Sequence, residues 1–199
     1  MRVASHPLLN TAVVAILAVA TLGLSACAPL PSAAPALIAA RTFAPAFELQ
    51  GRISASAGEQ AASGSIDWRH AHGTDSFTLL TPLGQIAAQL EASAVGAHLR
   101  TADGQELSAD SAETLLPHVL GIDIPVASLG RWVQAAPDAA AEVRNRDSAG
   151  RPALVIDQGW RIEYLAYLST AADSPPARLD ISRGDARIRL VIDSWTTLP

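Results

Sequence analysis

The sequence predicts a mainly β domain: a single antiparallel sheet of about eleven strands, curled on itself, with inserted helices lying over its open side. Three observations predict this class. Apolar and polar residues alternate with a period of two from Phe47 onward, glycine-containing turns separate the alternating runs, and a helical stretch interrupts them midway. A strand with one apolar face must bury that face. Because no second set of strands remains to form a sandwich, the sheet must curl.

The chain begins with a segment that we expect to be removed. Residues 8–24 are almost all apolar, and their number suits the core of a signal peptide. They end in Leu24-Ser25-Ala26-Cys27, which resembles the lipobox of bacterial lipoproteins. The resemblance implies a signal peptide over 1–26, cleavage before Cys27, and diacylglycerol plus a third acyl chain on that cysteine. The alternative is an uncleaved anchor helix with a chance cysteine.

Residues 27–46 combine the acylated cysteine with a linker rich in alanine and proline. Two or three acyl chains are enough for stable membrane anchoring. Position 28 is alanine, whereas an aspartate there keeps lipoproteins of enteric bacteria in the inner membrane. We therefore expect an outer-membrane protein, lipid-anchored and facing the periplasm, with its folded domain over residues 47–199.

The first half of the domain consists of alternating strands. In the opening strand Phe47, Leu49 and Ile53 alternate with polar residues, which is typical of a strand with one buried face. Similar runs follow up to Leu107. The turns that separate them are Ala57-Gly58, His72-Gly73, Pro82-Leu83-Gly84 and Asp103-Gly104.

Two helices are expected next. Residues Asp110–Leu120 carry a capping residue in Asp110, Glu113 three positions later and a glycine stop, with a kink at Pro117. Residues Val126–Ala135 place apolar side chains on one helical face. The remaining strands are predicted at Glu142–Arg146, Ala153–Asp157, Trp160–Tyr167, Arg178–Ser182 and Arg187–Trp195.

Curling encloses a volume between the sheet and the helices. Its predicted lining is Trp68, Phe77, Leu79, Ile86, Leu99, Leu107, Trp132, Trp160, Ile162, Tyr164, Ile188 and Leu190. Periodicity does not distinguish a filled core from a hollow one, and the tryptophans Trp132 and Trp160 could belong to an ordinary core or to the wall and lid of a cavity.

Six motifs occur in a characteristic order along the domain. They are Phe47-x-Leu-x-Gly-Arg-Ile53, Gly64-x-Ile-x-Trp68, Leu79-Leu-Thr-Pro-Leu-Gly-Gln85, Leu120-Gly-x-x-Ile-Pro-Val-x-x-Leu-x-x-Trp132, Gln158-Gly-Trp-x-Ile-x-Tyr164 and Arg187-Ile-Arg-Leu-Val-Ile-x-x-Trp195. In this order, after a lipobox, they resemble the LolB family of outer-membrane lipoproteins. The match extends from Phe47 to Trp195.

The resemblance implies an incomplete eleven-stranded barrel whose helices cover an apolar cavity. It also implies an activity without nucleotide: the domain accepts acylated lipoproteins from the periplasmic carrier LolA and inserts them into the inner leaflet of the outer membrane. The family has an exposed leucine in a Pro-Leu-Gly turn that pushes cargo into the membrane, which corresponds to Pro82, Leu83 and Gly84. The alternative is that the Leu83 side chain folds back onto the rim of the curled sheet and has no role in insertion.

Other functions have weaker support in the sequence. The formal net charge of -5 and the lack of a basic run argue against nucleic-acid binding. His70 and His72 could be two metal ligands, but a site needs more, and no partner is clustered near them. We expect no cofactor, no enzymatic activity and a monomer. The main alternative function is that of a structural outer-membrane lipoprotein with a filled β-core that acts as an envelope interaction module.

Overall fold

The structure is a computed structural model that describes residues 41–199. The expected signal peptide, Cys27 and the linker up to residue 40 lie outside the described residues. The strands are β1 Phe47–Ala57, β2 Gln60–Ala71, β3 Thr74–Leu80, β4 Ile86–Ser93, β5 Gly96–Thr101, β6 Glu106–Ala109, β7 Glu142–Arg146, β8 Pro152–Asp157, β9 Trp160–Tyr167, β10 Pro176–Arg183 and β11 Ala186–Thr197.

These strands form one antiparallel sheet of eleven strands in the order β6-β5-β4-β3-β2-β1-β11-β10-β9-β8-β7. The sheet is not closed, because β6 and β7 are its two edges. The predicted fold class is therefore confirmed. The chain between the two edges carries the helices α1 (Ala112–Leu115), α2 (Pro117–Leu120) and α3 (Val126–Trp132). Since this connection must cross from one edge to the other, the helices lie over the open side of the sheet.

Two inward-facing glycines allow the sheet to bend sharply. A Cβ on Gly51 would lie 2.1 Å from the carbonyl oxygen of Val191, and a Cβ on Gly64 would lie 2.0 Å from that of Leu80. No side chain fits at such distances, so neighbouring backbones come closer here than other residues permit. The glycines of the first two motifs are thus explained by the curvature of the sheet.

One predicted inward residue faces the other way. Ile86 pairs with Leu80 while Ala88 pairs with Leu79, so Ala87 is an extra residue that forms a β-bulge. A one-residue shift moves a side chain to the opposite face. Ile86 is accordingly 50% exposed, and the prediction that it lines the interior is wrong.

The helices are shorter than the sequence predicts. The first predicted helix is split into α1 and α2 at Leu116-Pro117, as the missing amide hydrogen of proline requires. Ser111, not Asp110, precedes α1, and it makes no side-chain capping hydrogen bond. Gly121 ends α2 in the left-handed conformation, at φ 70°, as the predicted glycine stop requires.

The described segment contains a complete hydrophobic core. All of its fully buried apolar side chains lie between Ala46 and Ile192, and most belong to one connected cluster. A segment with its own core has what independent folding requires. We therefore expect residues 41–199 to fold without the preceding residues.

Candidate functional site

The inner face of the sheet is apolar and covered. Ten of the residues predicted to line the interior are buried there, and Leu107 is partly buried against them. The ten are Trp68, Phe77, Leu79, Leu99, Trp132, Trp160, Ile162, Tyr164, Ile188 and Leu190. Sequence periodicity therefore places the interior correctly, except at the bulge.

The helical segment covers this face with its own apolar side chains. We call residues 112–132 the lid; its buried underside consists of Ala112, Leu115, Leu116, Leu120, Ile122, Ile124, Val126, Leu129 and Trp132. These side chains join those of the sheet in one cluster, so the inner face is closed to solvent. A surface cavity of about 420 Å³ is lined by polar residues that include Glu163, Asp180 and Arg189, together with the apolar Ala55, Ile181 and Ile188.

The second part of the lid is held by one buried and one partly buried hydrogen bond. The indole of Trp132 donates from Nε1 to Oδ2 of Asp157 at 2.7 Å, and both residues are buried. The amide of Gln158 donates from Nε2 to Oγ of Ser128, also at 2.7 Å. Helix α3 is thus tied to the turn between β8 and β9. The ring of Trp132 also lies 5.9 Å from that of Trp160.

The turn between β3 and β4 presents an apolar side chain to solvent. Thr81 and Gly84 close the turn by a backbone hydrogen bond of 2.8 Å, and Gly84 adopts φ 79°. Leu83 lies at the tip and is 88% exposed. Single exposed apolar side chains are common on protein surfaces, so this exposure shows that Leu83 is free to make a contact and does not by itself identify the partner.

The chain enters the domain at the opposite end of the sheet. Phe47 pairs with His70, which marks one end, whereas the Leu83 turn extends beyond the pairing row of Arg52 and Ser65. We call the first the tether end and the second the Leu83 end. Five strand residues separate the two rows, about 17 Å.

At the tether end, Arg41 fastens the incoming chain to two loops. Its guanidinium donates to the carbonyl oxygens of Gln134 at 3.2 Å, Ala172 at 2.8 Å and Ser174 at 2.6 Å. It also lies over the ring of Tyr167, 5.4 Å from the centroid. Burial lowers the pKa of the Arg41 guanidinium. The last residues of the linker are therefore part of the folded domain.

Comparison with known proteins decides the family. The family model described as "Outer membrane lipoprotein LolB" matches residues 45–195. An outer-membrane lipoprotein LolB of Azoarcus sp. is 55% identical, covering 88% of this chain and 90% of its own. One from Thiobacillus denitrificans is 38% identical, covering 94% and 98%. The chain belongs to the LolB family.

Among solved structures, the chain is similar to a LolA superfamily protein of Nitrosomonas europaea, with a TM-score of 0.47 and 10% sequence identity. That alignment covers 80% of this chain and 89% of the other. A protein of the DUF1329 family from Desulfovibrio piger aligns with a TM-score of 0.49 at 4% identity, covering 77% and 86%.

Membership of the LolB family confirms two predictions. The protein is an outer-membrane lipoprotein, and it is not an enzyme. Within residues 41–199, no helix is both long and apolar enough to cross a membrane.

The two predicted candidates for metal ligands do not act together. His70 Nδ1 lies 2.7 Å from Oδ1 of Asp75, which also accepts a hydrogen bond of 2.8 Å from the indole of Trp68. His72 is exposed in the following turn, at φ 53°. Among the described residues, no group of three or more histidine, cysteine, aspartate or glutamate side chains could hold a metal ion.

The sequence does not predict the roles of three residues. Asp157 precedes a turn, and its buried hydrogen bond to Trp132 forms only when the lid folds back over β8 and β9. No sequence pattern indicates the hydrogen bond of Ser128 either. Arg41 lay inside the presumed linker, and the only available sign was an isolated arginine in a segment of alanine and proline.

Proposed function

We propose that the domain accepts an acylated lipoprotein from a LolA-like periplasmic carrier, holds its acyl chains against the inner face, and releases them into the inner leaflet of the outer membrane. The chain itself is anchored there by lipid on Cys27. The observation that carries this proposal is the underside of the lid, which is apolar except at Ser128 and covers the apolar inner face of an unclosed sheet.

The cover can be exchanged because it is mostly apolar. Helices α1 and α2 have four residues each and α3 has seven. Helices this short are not stable in isolation, so packing on the sheet maintains the lid. Acyl chains entering beneath it replace one apolar cover with another. The closed domain is therefore the empty state, and loading displaces part of the lid.

The free energy available is large. Three acyl chains carry on the order of 40 methylene groups, each worth about 0.8 kcal/mol on burial. Such chains do not cross water unprotected. Transfer proceeds downhill without nucleotide when the inner face binds the chains more tightly than the carrier does and more weakly than the bilayer.

A structural lipoprotein is the second candidate function, and the closed inner face favours it. On this reading the buried cluster is a permanent core and the domain binds other envelope components. A fluorescent apolar probe separates the two. The transfer function requires the folded domain 41–199 to bind the probe and an acylated lipopeptide to displace it. If the folded domain binds neither the probe nor the lipopeptide, its buried cluster is a permanent core.

Leu83 is the residue that we propose to act in release. The anchor does not prevent the Leu83 end from facing the membrane, because the chain from Cys27 to Arg41 can reach at most about 50 Å. That exceeds the separation of about 17 Å between the pairing rows. Leu83 enters the bilayer surface and opens the path for the acyl chains.

The substitution Leu83→Glu tests this role. Burying a leucine is worth about 1.5–3 kcal/mol, and 1.4 kcal/mol is a factor of ten. The variant should fold and accept lipopeptide normally, but transfer it to vesicles about ten to a hundred times more slowly. The matched control is Val95→Glu, because Val95 is 98% exposed at the tether end. Normal transfer by Leu83→Glu, or an equal defect in both variants, removes Leu83 from the mechanism.

A further inference from the structure

Two polar atoms on β9 are buried without a partner. In the described part of the chain, neither Trp160 Nε1 nor Tyr164 Oη makes a hydrogen bond. Trp160 is fully buried and Tyr164 is 6% exposed. Leaving such a group unsatisfied is unfavourable, and buried polar groups without a partner are rare in native proteins.

The two groups share the same face of the same strand. Residues 160, 162 and 164 are the buried positions of β9, so both side chains belong to the covered inner face. Nearby polar groups are already paired: the indole of Trp132 donates to Asp157, and the hydroxyl of Tyr167 donates to the carbonyl of Pro152. The contrast sets Trp160 and Tyr164 apart from their neighbours.

The chemistry of the missing partner follows from that of the two groups. An indole N–H only donates, and a tyrosine hydroxyl donates when protonated. Burial is the main cause that raises the pKa of the Tyr164 hydroxyl, which therefore stays protonated. Most neighbours are apolar, with Ile162 between the two residues and Trp132 against Trp160, and the guanidinium of Arg183 lies over the Trp160 ring, 4.4 Å from its centroid. Burial of both donors among mostly apolar side chains favours an uncharged acceptor over an anion.

We propose that Trp160 Nε1 and Tyr164 Oη donate hydrogen bonds to the ester carbonyls of the acyl chains of the lipoprotein cargo. Carboxyl-ester carbonyls are uncharged acceptors at the head of each glycerol-linked chain. This inference rests on the proposed function, and it adds the part of the cargo that the inner face recognises beyond its hydrocarbon. It also favours loading over the closed, empty state, because an ester carbonyl that enters accepts a hydrogen bond from a donor that is unpaired in the closed domain.

The test compares ester and ether linkages. Purified domain 41–199 is loaded with an apolar fluorescent probe, which is displaced by a diacylglyceryl-cysteine peptide or by the same peptide with ether-linked chains. The two ligands differ only in their carbonyl groups. A hydrogen bond contributes about 0.5–1.5 kcal/mol, so the domain should prefer the ester by about two- to tenfold. Tyr164→Phe and Trp160→Phe should each reduce this preference, and the double variant should abolish it.

Tyr167→Phe is the matched control, because its hydroxyl already has a partner and the ester preference should persist. No preference in the unaltered domain, or the same preference in the double variant, overturns the inference. If neither peptide displaces the probe, the proposed function fails instead. A third arm uses a phospholipid with ester or ether chains. An ester preference seen with phospholipid but not with the peptide assigns the donors to membrane lipid and overturns their assignment to cargo.

Discussion

The two parts of the lid are attached to the sheet in different ways. Helices α1 and α2 pack on β2, β4, β5 and β6, and within residues 41–199 we find no side-chain hydrogen bond from them to the sheet. Helix α3 has two such bonds, from Trp132 to Asp157 and from Gln158 to Ser128. If acyl chains replace the lid as we propose, α1 and α2 can leave the sheet without losing a hydrogen bond to it, whereas α3 cannot.

This difference predicts the order of events if the domain opens. Helices α1 and α2 should move first, and α3 should stay attached as the hinge side. A hydrogen bond between the two parts, from the amide of Ala127 to Glu113 Oε1, is 3.3 Å long and exposed. It is too weak to make the lid move as a single body. Three substitutions test this division.

Asp157→Ala should have the largest effect. It removes the acceptor of the buried Trp132 indole, and leaving a buried donor unsatisfied costs about 1–3 kcal/mol. Amide hydrogens of α3, such as that of Leu129, which donates to the carbonyl of Pro125, should exchange about ten to a hundred times faster. Those of α2 should change little.

Asp157→Asn is the control, because its side-chain carbonyl still accepts the bond and should preserve most of the protection. If α2 loses as much protection as α3 in Asp157→Ala, the lid opens as one unit and the division is wrong.

Much of this arrangement could be predicted from sequence, for physical reasons. Alternation along β1, β9 and β11 reports which face is buried, because side chains of a strand point to opposite faces in turn. It fails at Ile86, since one extra residue in β4 is invisible to a periodic pattern. The helical stops at Pro117 and Gly121 are local and could be predicted. The bond between Trp132 and Asp157 joins distant parts of the chain, so no local signal reports it.

Gly130→Ala should act in the opposite direction to Asp157→Ala. A glycine in the interior of a helix makes the helix less stable than an alanine does, by about 0.5–1 kcal/mol. The added Cβ would lie 3.9 Å from the ring of Trp68, an ordinary contact. We expect the free energy of unfolding, measured by urea denaturation, to rise by about that amount, with slower exchange in α3 and unchanged exchange in α2. A destabilised variant would mean that α3 has no room beneath it.

Glu113→Ala should have the smallest effect. The bond that it removes is long and exposed, and surface substitutions usually change stability by less than about 0.5 kcal/mol. If α1 moves independently of α3, losing this contact should leave the rate of probe uptake and the exchange of α3 amides nearly unchanged. Suppose instead that Glu113→Ala speeds the exchange of α3 as strongly as Asp157→Ala does. The two parts of the lid would then depend on each other through Glu113, and the attached helix would not be a hinge of its own.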